Sequence, residues 1–221
     1  MKKLVKALHS RHISFWNKHS LRSLAIAIGF LVAALFVQGF ANNYVGELNG
    51  TAVGDLFLNN LPTVDIDFFI VQGALILTAI ALFLFLYKPK YLSFGLKALA
   101  IFIVARSFLI SLTHLGPSLH QLVLDPKSFG FGVYNILFYA KNDFFFSGHT
   151  GAPYLLALIF WPEKWWRYFF IGAAFVLGSS VLLAHIHYSI DVFAAPLITY
   201  SLFCLARFFF KHDYGVSRGD G

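Results

Sequence analysis

Two short polar stretches interrupt an otherwise apolar chain. Ser147-Gly148-His149-Thr150 stands at the foot of the apolar run Phe144 to Trp161, and His185-Ile186-His187-Tyr188-Ser189-Ile190-Asp191-Val192 follows, His149 and His187 lying 38 positions apart. His187 and Asp191 are spaced i, i+4, so a helix beginning near His187 predicts that the carboxylate reaches the imidazole N–H. His185 does not share that face. Several chemistries use such groups. A single histidine serves as an amphipathic anchor at an interface, and His149, His185, His187 and Asp191 are all metal-ligand types, although His-x-His on a helix points the two rings apart. Three ionisable groups converging at one depth of an apolar protein mark a functional site more strongly than an anchor.

The elements that carry these residues follow from composition. Of 221 residues 58% are apolar and 12% charged, and the mean hydropathy is +0.71, which excludes a soluble domain. The chain is expected to be an all-α, polytopic integral membrane protein. Crossing ~30 Å of hydrocarbon takes ~20 apolar residues as a helix, since every backbone polar group must pair within the segment. Six spans are predicted, at about 21–41, 66–87, 93–114, 144–161, 168–185 and 190–210, in one domain. Residues 1–20 form a basic N-terminus and 211–221 a tail. Phe131 to Ala140 is too short to span and reads as a loop feature, and the Phe-rich runs read as lipid contact. The single Cys204 excludes an internal disulfide.

The net charge of +7 could suggest nucleic acid, but its distribution does not. Fourteen of the 17 basic residues fall on one side of the six predicted spans: Lys2 to Arg22, Lys88 to Lys97, Lys164 with Arg167, and Arg207 to Arg218. Lys127 and Lys141 lie on the other side, and Arg106 falls inside the third span. The positive-inside rule therefore predicts cytoplasmic termini and puts both polar stretches on the extracytoplasmic face. The basic surplus reflects topology and attraction to anionic lipid. No nucleic-acid partner is expected; the bilayer is.

Taken together, Ser147-Gly148-His149-Thr150 and His187-Tyr188-Ser189-Ile190-Asp191-Val192 resemble the paired signature of the sphingomyelin synthase family, a branch of the type 2 phosphatidic acid phosphatase (PAP2) superfamily. Arg106 to Pro117, "RSFLISLTHLGP", is similar to that branch's Arg, Thr and Leu-Pro motif. Asn60 to Asp65, "NLPTVD", echoes its Pro-rich motif, and Asp143 matches the Asp upstream of its Ser-Gly-His. The superfamily's phosphatases carry an Arg-Pro pair and a Ser-Arg pair. Here Ser107 follows Arg106 and Val181 follows Ser180, a departure that favours the synthase branch. The Gly116 insertion and Lys141-Asn142 depart from the synthase pattern too, so headgroup preference does not carry over.

The resemblance implies a six-helix PAP2-like bundle that moves a phosphorylated headgroup, of phosphocholine or phosphoethanolamine type, from a membrane phospholipid donor to ceramide or a similar lipid alcohol. The residues suit that chemistry. Asp191 would hold the Nδ1–H of His187, whose Nε2 attacks phosphorus to give a phosphohistidine. His149 would protonate the departing lipid oxygen and then act as base on the acceptor hydroxyl. N–H groups at Ser147, Gly148 and Thr150 open a helix, a setting that favours phosphate oxygens, with Arg106 as the cation; the resemblance adds Asp143 to the expected phosphate-binding residues. The alternative for Arg106 is snorkelling to the interface. The scheme calls for no metal and no cofactor. Other readings of the same residues are a lipid phosphatase or phospholipase C-type hydrolase and, outside enzymes, a scaffold or transporter.

Overall fold

The computed structural model describes residues 15–48, 50–138 and 143–219. Lys2, Lys3, Lys6, Arg11, Lys141 and Asn142 lie outside the described residues. The described chain is helical: α1 (Lys18–Glu47), α2 (Asp67–Tyr87), a 3₁₀ turn (Pro89–Tyr91), α3 (Leu92–Leu112), α4 (Phe131–Leu137), α5 (Gly148–Ile159), α6 (Lys164–Leu183), α7 (Ser189–Phe209) and α8 (Lys211–Arg218).

α1 starts where Asn17 accepts hydrogen bonds from the His19 and Ser20 N–H groups, both at 2.9 Å, while Ser20 Oγ accepts from the Asn17 N–H at 2.8 Å. This reciprocal cap satisfies donors that the first turn leaves open. Its buried residues are Ser23, Ala27, Ala34, Ala41 and Val45, a stripe of mostly small side chains that packs along α3. Small residues let helices approach closely where lipid gives no hydrophobic drive to associate. Phe36, Phe40, Phe108, Phe175 and Leu197 are exposed, as side chains that face lipid are.

Among the described residues five helices, α1, α2, α3 with its preceding 3₁₀ turn, α6 and α7, are long and apolar enough to cross a membrane, which fits an integral membrane protein. The stretch expected as the fourth span is helical over only 12 residues in α5, roughly 18 Å at 1.5 Å per residue. Phe144 to Phe146 are non-helical, and Phe160 to Pro162 turn directly into α6, which starts at Lys164 rather than Tyr168. α5 is shielded instead of lipid-facing: it packs against α6 and α7 and touches α2 and α3. Phe131–Leu137, expected as loop, forms the short helix α4 against α2.

The Phe-rich sequence also fills the interior, contrary to its reading as lipid contact alone. Phe94, Phe102, Phe146, Phe160, Phe170 and Phe203 form one buried cluster with Tyr91. At the far end from the histidines, α8 is tied in by a polar triad. Lys97 Nζ bonds Asp213 Oδ2 at 2.5 Å and Ser23 Oγ at 2.9 Å, and all three residues are buried.

Candidate active site

The start of α5 is set by a strained turn. Phe145 and Phe146 have φ of +92° and +133°, a region that costs a non-glycine residue about 1–3 kcal/mol and persists only where surroundings enforce it. Here both sides of the turn are pinned. The Phe144 carbonyl accepts from Thr113 Oγ1 at 3.1 Å and its ring meets Tyr188 at 5.6 Å, while the Phe146 ring packs on Phe102 at 5.0 Å. The Ser147 N–H then donates to the Asp191 carbonyl at 3.1 Å, joining the start of α5 to α7. The first intrahelical bond runs from the Gly151 N–H to the Ser147 carbonyl at 2.9 Å, so the N–H groups of Gly148, His149 and Thr150 have no acceptor within the helix.

The second stretch is a turn between α6 and α7. His185 takes φ +55°, and the His187 N–H returns to the Val181 carbonyl at 3.3 Å. The last carbonyls of α6 are completed by neighbouring loops: Leu183 accepts from the Val64 N–H and Ala184 from the Leu122 N–H, both at 2.9 Å. α7 begins at Ser189, two residues after His187, so His187 and Asp191 do not share a helical face. Their contact comes from a cap. Asp191, in the first turn, folds back so that Oδ2 accepts from the Tyr188 N–H at 3.0 Å and meets His187 Nδ1 at 3.2 Å. His187 and Asp191 are 4% and 1% exposed, a dry setting in which the carboxylate fixes the ring's tautomer and orientation.

His149 stands opposite, its ring centroid 6.3 Å from that of His187 at an interplanar angle of 61°. Arg106 turns inward rather than snorkelling. Its Nε donates to the Phe146 carbonyl at 3.1 Å, its Nη2 contacts the Asp143 carboxylate, and a Cβ on Gly148 would lie 3.4 Å from Nε. The guanidinium thus lies under the open N–H groups of α5. The side chain of Thr150 faces away: a Cβ on Gly178 would lie 2.8 Å from its Oγ1, which puts the hydroxyl against α6 and leaves only the backbone of Thr150 facing the site. Ser147 Oγ is buried with no hydrogen-bond partner among the described residues. His185 stands apart, with Nδ1 3.3 Å from Thr63 Oγ1. Among the described residues no group of three or more His, Cys, Asp or Glu is placed to hold a metal ion.

Two residues at the site have no counterpart in the sequence reading. Tyr134 of α4 places its hydroxyl 3.3 Å from His149 Nε2, and Asp55 holds the first turn of α7. Asp55 Oδ2 accepts from the Ser189 N–H at 2.7 Å while Oδ1 accepts from Phe57 and Leu58. Burial alone would raise this carboxyl, but the N–H groups of Leu58, Ser189 and Phe57 outweigh it and hold it below the ordinary carboxylate range. A lone Asp in a loop carries no spacing signal. Tyr134 left one trace, a tyrosine inside an apolar stretch too short to span. Tyr188 acts as a post, donating its hydroxyl to the Gly116 carbonyl at 2.8 Å and accepting from the Val53 N–H at 3.2 Å. Gly116 lies where two loops cross: a Cβ there would fall 2.2 Å from the Gly50 carbonyl oxygen.

The family model described as PAP2 superfamily C-terminal matches residues 142–208, the segment that holds both histidines and Asp191. The match supports the PAP2 superfamily and, with it, lipid-phosphate chemistry of the phosphatase or phosphotransferase type. No curated protein and no solved structure matches the chain.

Proposed function

We propose that this protein is a membrane phosphotransferase of sphingomyelin synthase type, moving a phosphorylated headgroup from a glycerophospholipid to ceramide or a similar lipid alcohol. The observation that carries the reading is the pair of facing imidazoles, one backed by a buried carboxylate. A single tetrahedral phosphorus between the two rings would meet a nucleophile on one side and a proton donor on the other, the arrangement that in-line displacement needs.

His187, its Nδ1–H held by Asp191, attacks phosphorus through Nε2. The P–O bond to diacylglycerol breaks, and the departing oxygen takes a proton from the His149 side. The phosphoryl oxygens lie against the open N–H groups of Gly148, His149 and Thr150 with Arg106 beneath, so charge is stabilised by donors already in place. Asp143 holds the guanidinium. In the second half-reaction the acceptor hydroxyl gives its proton back toward His149, and its oxygen displaces His187. Ser147 acts through its backbone. The six-span arrangement, with both termini cytoplasmic and the site on the extracytoplasmic face, belongs to the same proposal: α5 supplies the fourth crossing within the shelter of α6 and α7.

The test is product identity. Purified protein in mixed-phospholipid vesicles containing ceramide is expected to yield diacylglycerol and a phosphorylated-headgroup ceramide in equal amounts, read by mass spectrometry. Diacylglycerol with free phosphorylated headgroup and no modified ceramide would make the protein a phospholipase C-type hydrolase. Free phosphate released from phosphatidic acid would make it a phosphatase.

A further inference from the structure

Beside the turn that carries His187 the loops enclose a cleft of about 660 Å³. Its wall is the segment before α2, the loop after α3 closes it with Ser118 and His120, and His185 reaches it from the turn between α6 and α7. Leu58 and His185 are its buried members, 5% and 2% exposed, with Asn59 and Thr63 around them. Among the described residues that line it there is no acid, lysine or arginine.

Hydrogen bonding at His185 decides what the cleft accepts. Thr63 Oγ1 donates its one proton to the His120 carbonyl at 3.0 Å. Toward His185 Nδ1, 3.3 Å away, the same oxygen can only accept, which puts the hydrogen of the neutral ring on Nδ1. Nε2 is then a lone pair, and it has no hydrogen-bond partner among the described residues. Buried acceptors are ordinarily met by a donor from protein, water or ligand. The ring is held this way by a left-handed backbone, φ +55°, a conformation that persists where the surroundings enforce it.

We propose that this cleft binds the head of an uncharged lipid that carries free hydroxyls, one of which donates to Nε2 of His185. A charged head would give up its water here and find no counter-charge. A neutral hydroxyl finds an acceptor, and Leu58, Leu61 and Pro62 offer the first acyl carbons an apolar side. Occupancy bears on His187. Val53, also in the wall, gives its N–H to the Tyr188 hydroxyl at 3.2 Å, and Asp55 joins the Leu58 N–H to that of Ser189. A ligand that orders this wall and His185 stiffens the turn between them. The site is independent of which acceptor, lipid alcohol or water, the two histidines serve.

Hydrogen exchange tests it, on protein in phosphatidylcholine nanodiscs, a lipid whose head has no hydroxyl. Monooctanoylglycerol at about ten times its Kd is expected to slow exchange of the Val53 and Ser189 amides by about 10-fold, the factor 1 + [L]/Kd for a ligand that binds only the closed form. His185→Asn suits the left-handed backbone but is too short to present the acceptor. Thr63→Val, at an exposed position, frees Nδ1 and so no longer fixes the lone pair on Nε2. Each variant is expected to need about 10-fold more ligand, the worth of one hydrogen bond, while unliganded exchange in α2 and α3 stays as in the wild type. A lack of protection by monooctanoylglycerol, or protection unchanged in both variants, would overturn the site; the second result would put the ligand elsewhere, the gap between His149 and His187 included. Equal protection by free glycerol would overturn a lipid as the occupant, and stronger protection by dioctanoyl phosphatidic acid would overturn an uncharged head. Headgroup transfer itself fails or stands by product identity, which none of these readings touches.

Discussion

At the scale of single residues the site separates a carboxylate-backed histidine from one that meets a phenol, and the two are expected to fail differently. His187→Ala should give no nitrophenol burst from an activated donor, because no bond to phosphorus forms. His149→Ala should give one burst and then stall, since a good leaving group needs no acid but the acceptor still needs a base. The reverse pattern would mean that the roles are exchanged. Asp191→Asn is a graded case. The amide still accepts from the Tyr188 N–H, so the cap on α7 survives, but charge stabilisation of the His187 imidazolium is lost. By analogy with other His-Asp pairs a fall in kcat of about 10²–10⁴-fold is expected with the fold retained, to be read by single-turnover kinetics beside thermal unfolding. Loss of the fold instead would mark the carboxylate as structural.

At the scale of elements, the turn that carries His187 is fixed by the loops before α2 and α4, and Asp55 is the one carboxylate among the ties given above. Its folded carboxyl is held below its ordinary value of 3.8. A depressed carboxylate contributes stability that is fully present above the unfolded value and is lost as pH falls through the folded one. The loop should therefore stay attached to α7 above about pH 4 and release as acid is added below it, which hydrogen exchange at the Ser189 amide would detect. Asp55→Ala removes the acceptor at every pH and is expected to cost about 1–2 kcal/mol, the usual worth of a helix cap, and to remove the acid transition. A transition that persists in Asp55→Ala would point to another carboxylate.

At the scale of the whole molecule, the distribution of basic residues is what motivates the proposed orientation, and one buried triad secures the end opposite the site. With Cys204→Ser as background, Leu119→Cys in the loop before α4 is expected to react with a membrane-impermeant maleimide added outside intact cells. Trp165→Cys at the start of α6 should not react. Both positions are exposed, at 86% and 84%, so accessibility to reagent does not confuse the reading, and outside labelling of Trp165→Cys would sink the six-span orientation. Lys97→Ala would leave Asp213 buried without its cation. Removing one partner of a buried pair costs about 3–5 kcal/mol, so thermal unfolding should shift markedly while the histidines, at the other end of the bundle, stay in place.

What the sequence determines by itself is what depends on composition and local spacing. Apolar runs of about 20 residues mark α1, α2, α3, α6 and α7 because a bilayer requires backbone pairing within each segment. Two polar stretches stand out because ionisable groups among such runs are costly. The tertiary structure decided everything that depends on distant chain meeting. The 12-residue α5 starts late because its entry is pinned by Thr113 just after α3, Phe102 within α3 and Asp191 on α7, and its flanks lie against protein. Asp191 reaches His187 through a cap on a helix that starts later than i, i+4 spacing implied. Tyr134 joins His149 only because Gly130 lets α4 lie on Leu75. Asp55 holds the start of α7 across 134 positions of sequence. Of these contacts the one between His187 and Asp191 alone had a spacing to announce it, though not the cap that makes it; the others have neither period nor spacing and exist because packing brought distant groups within reach.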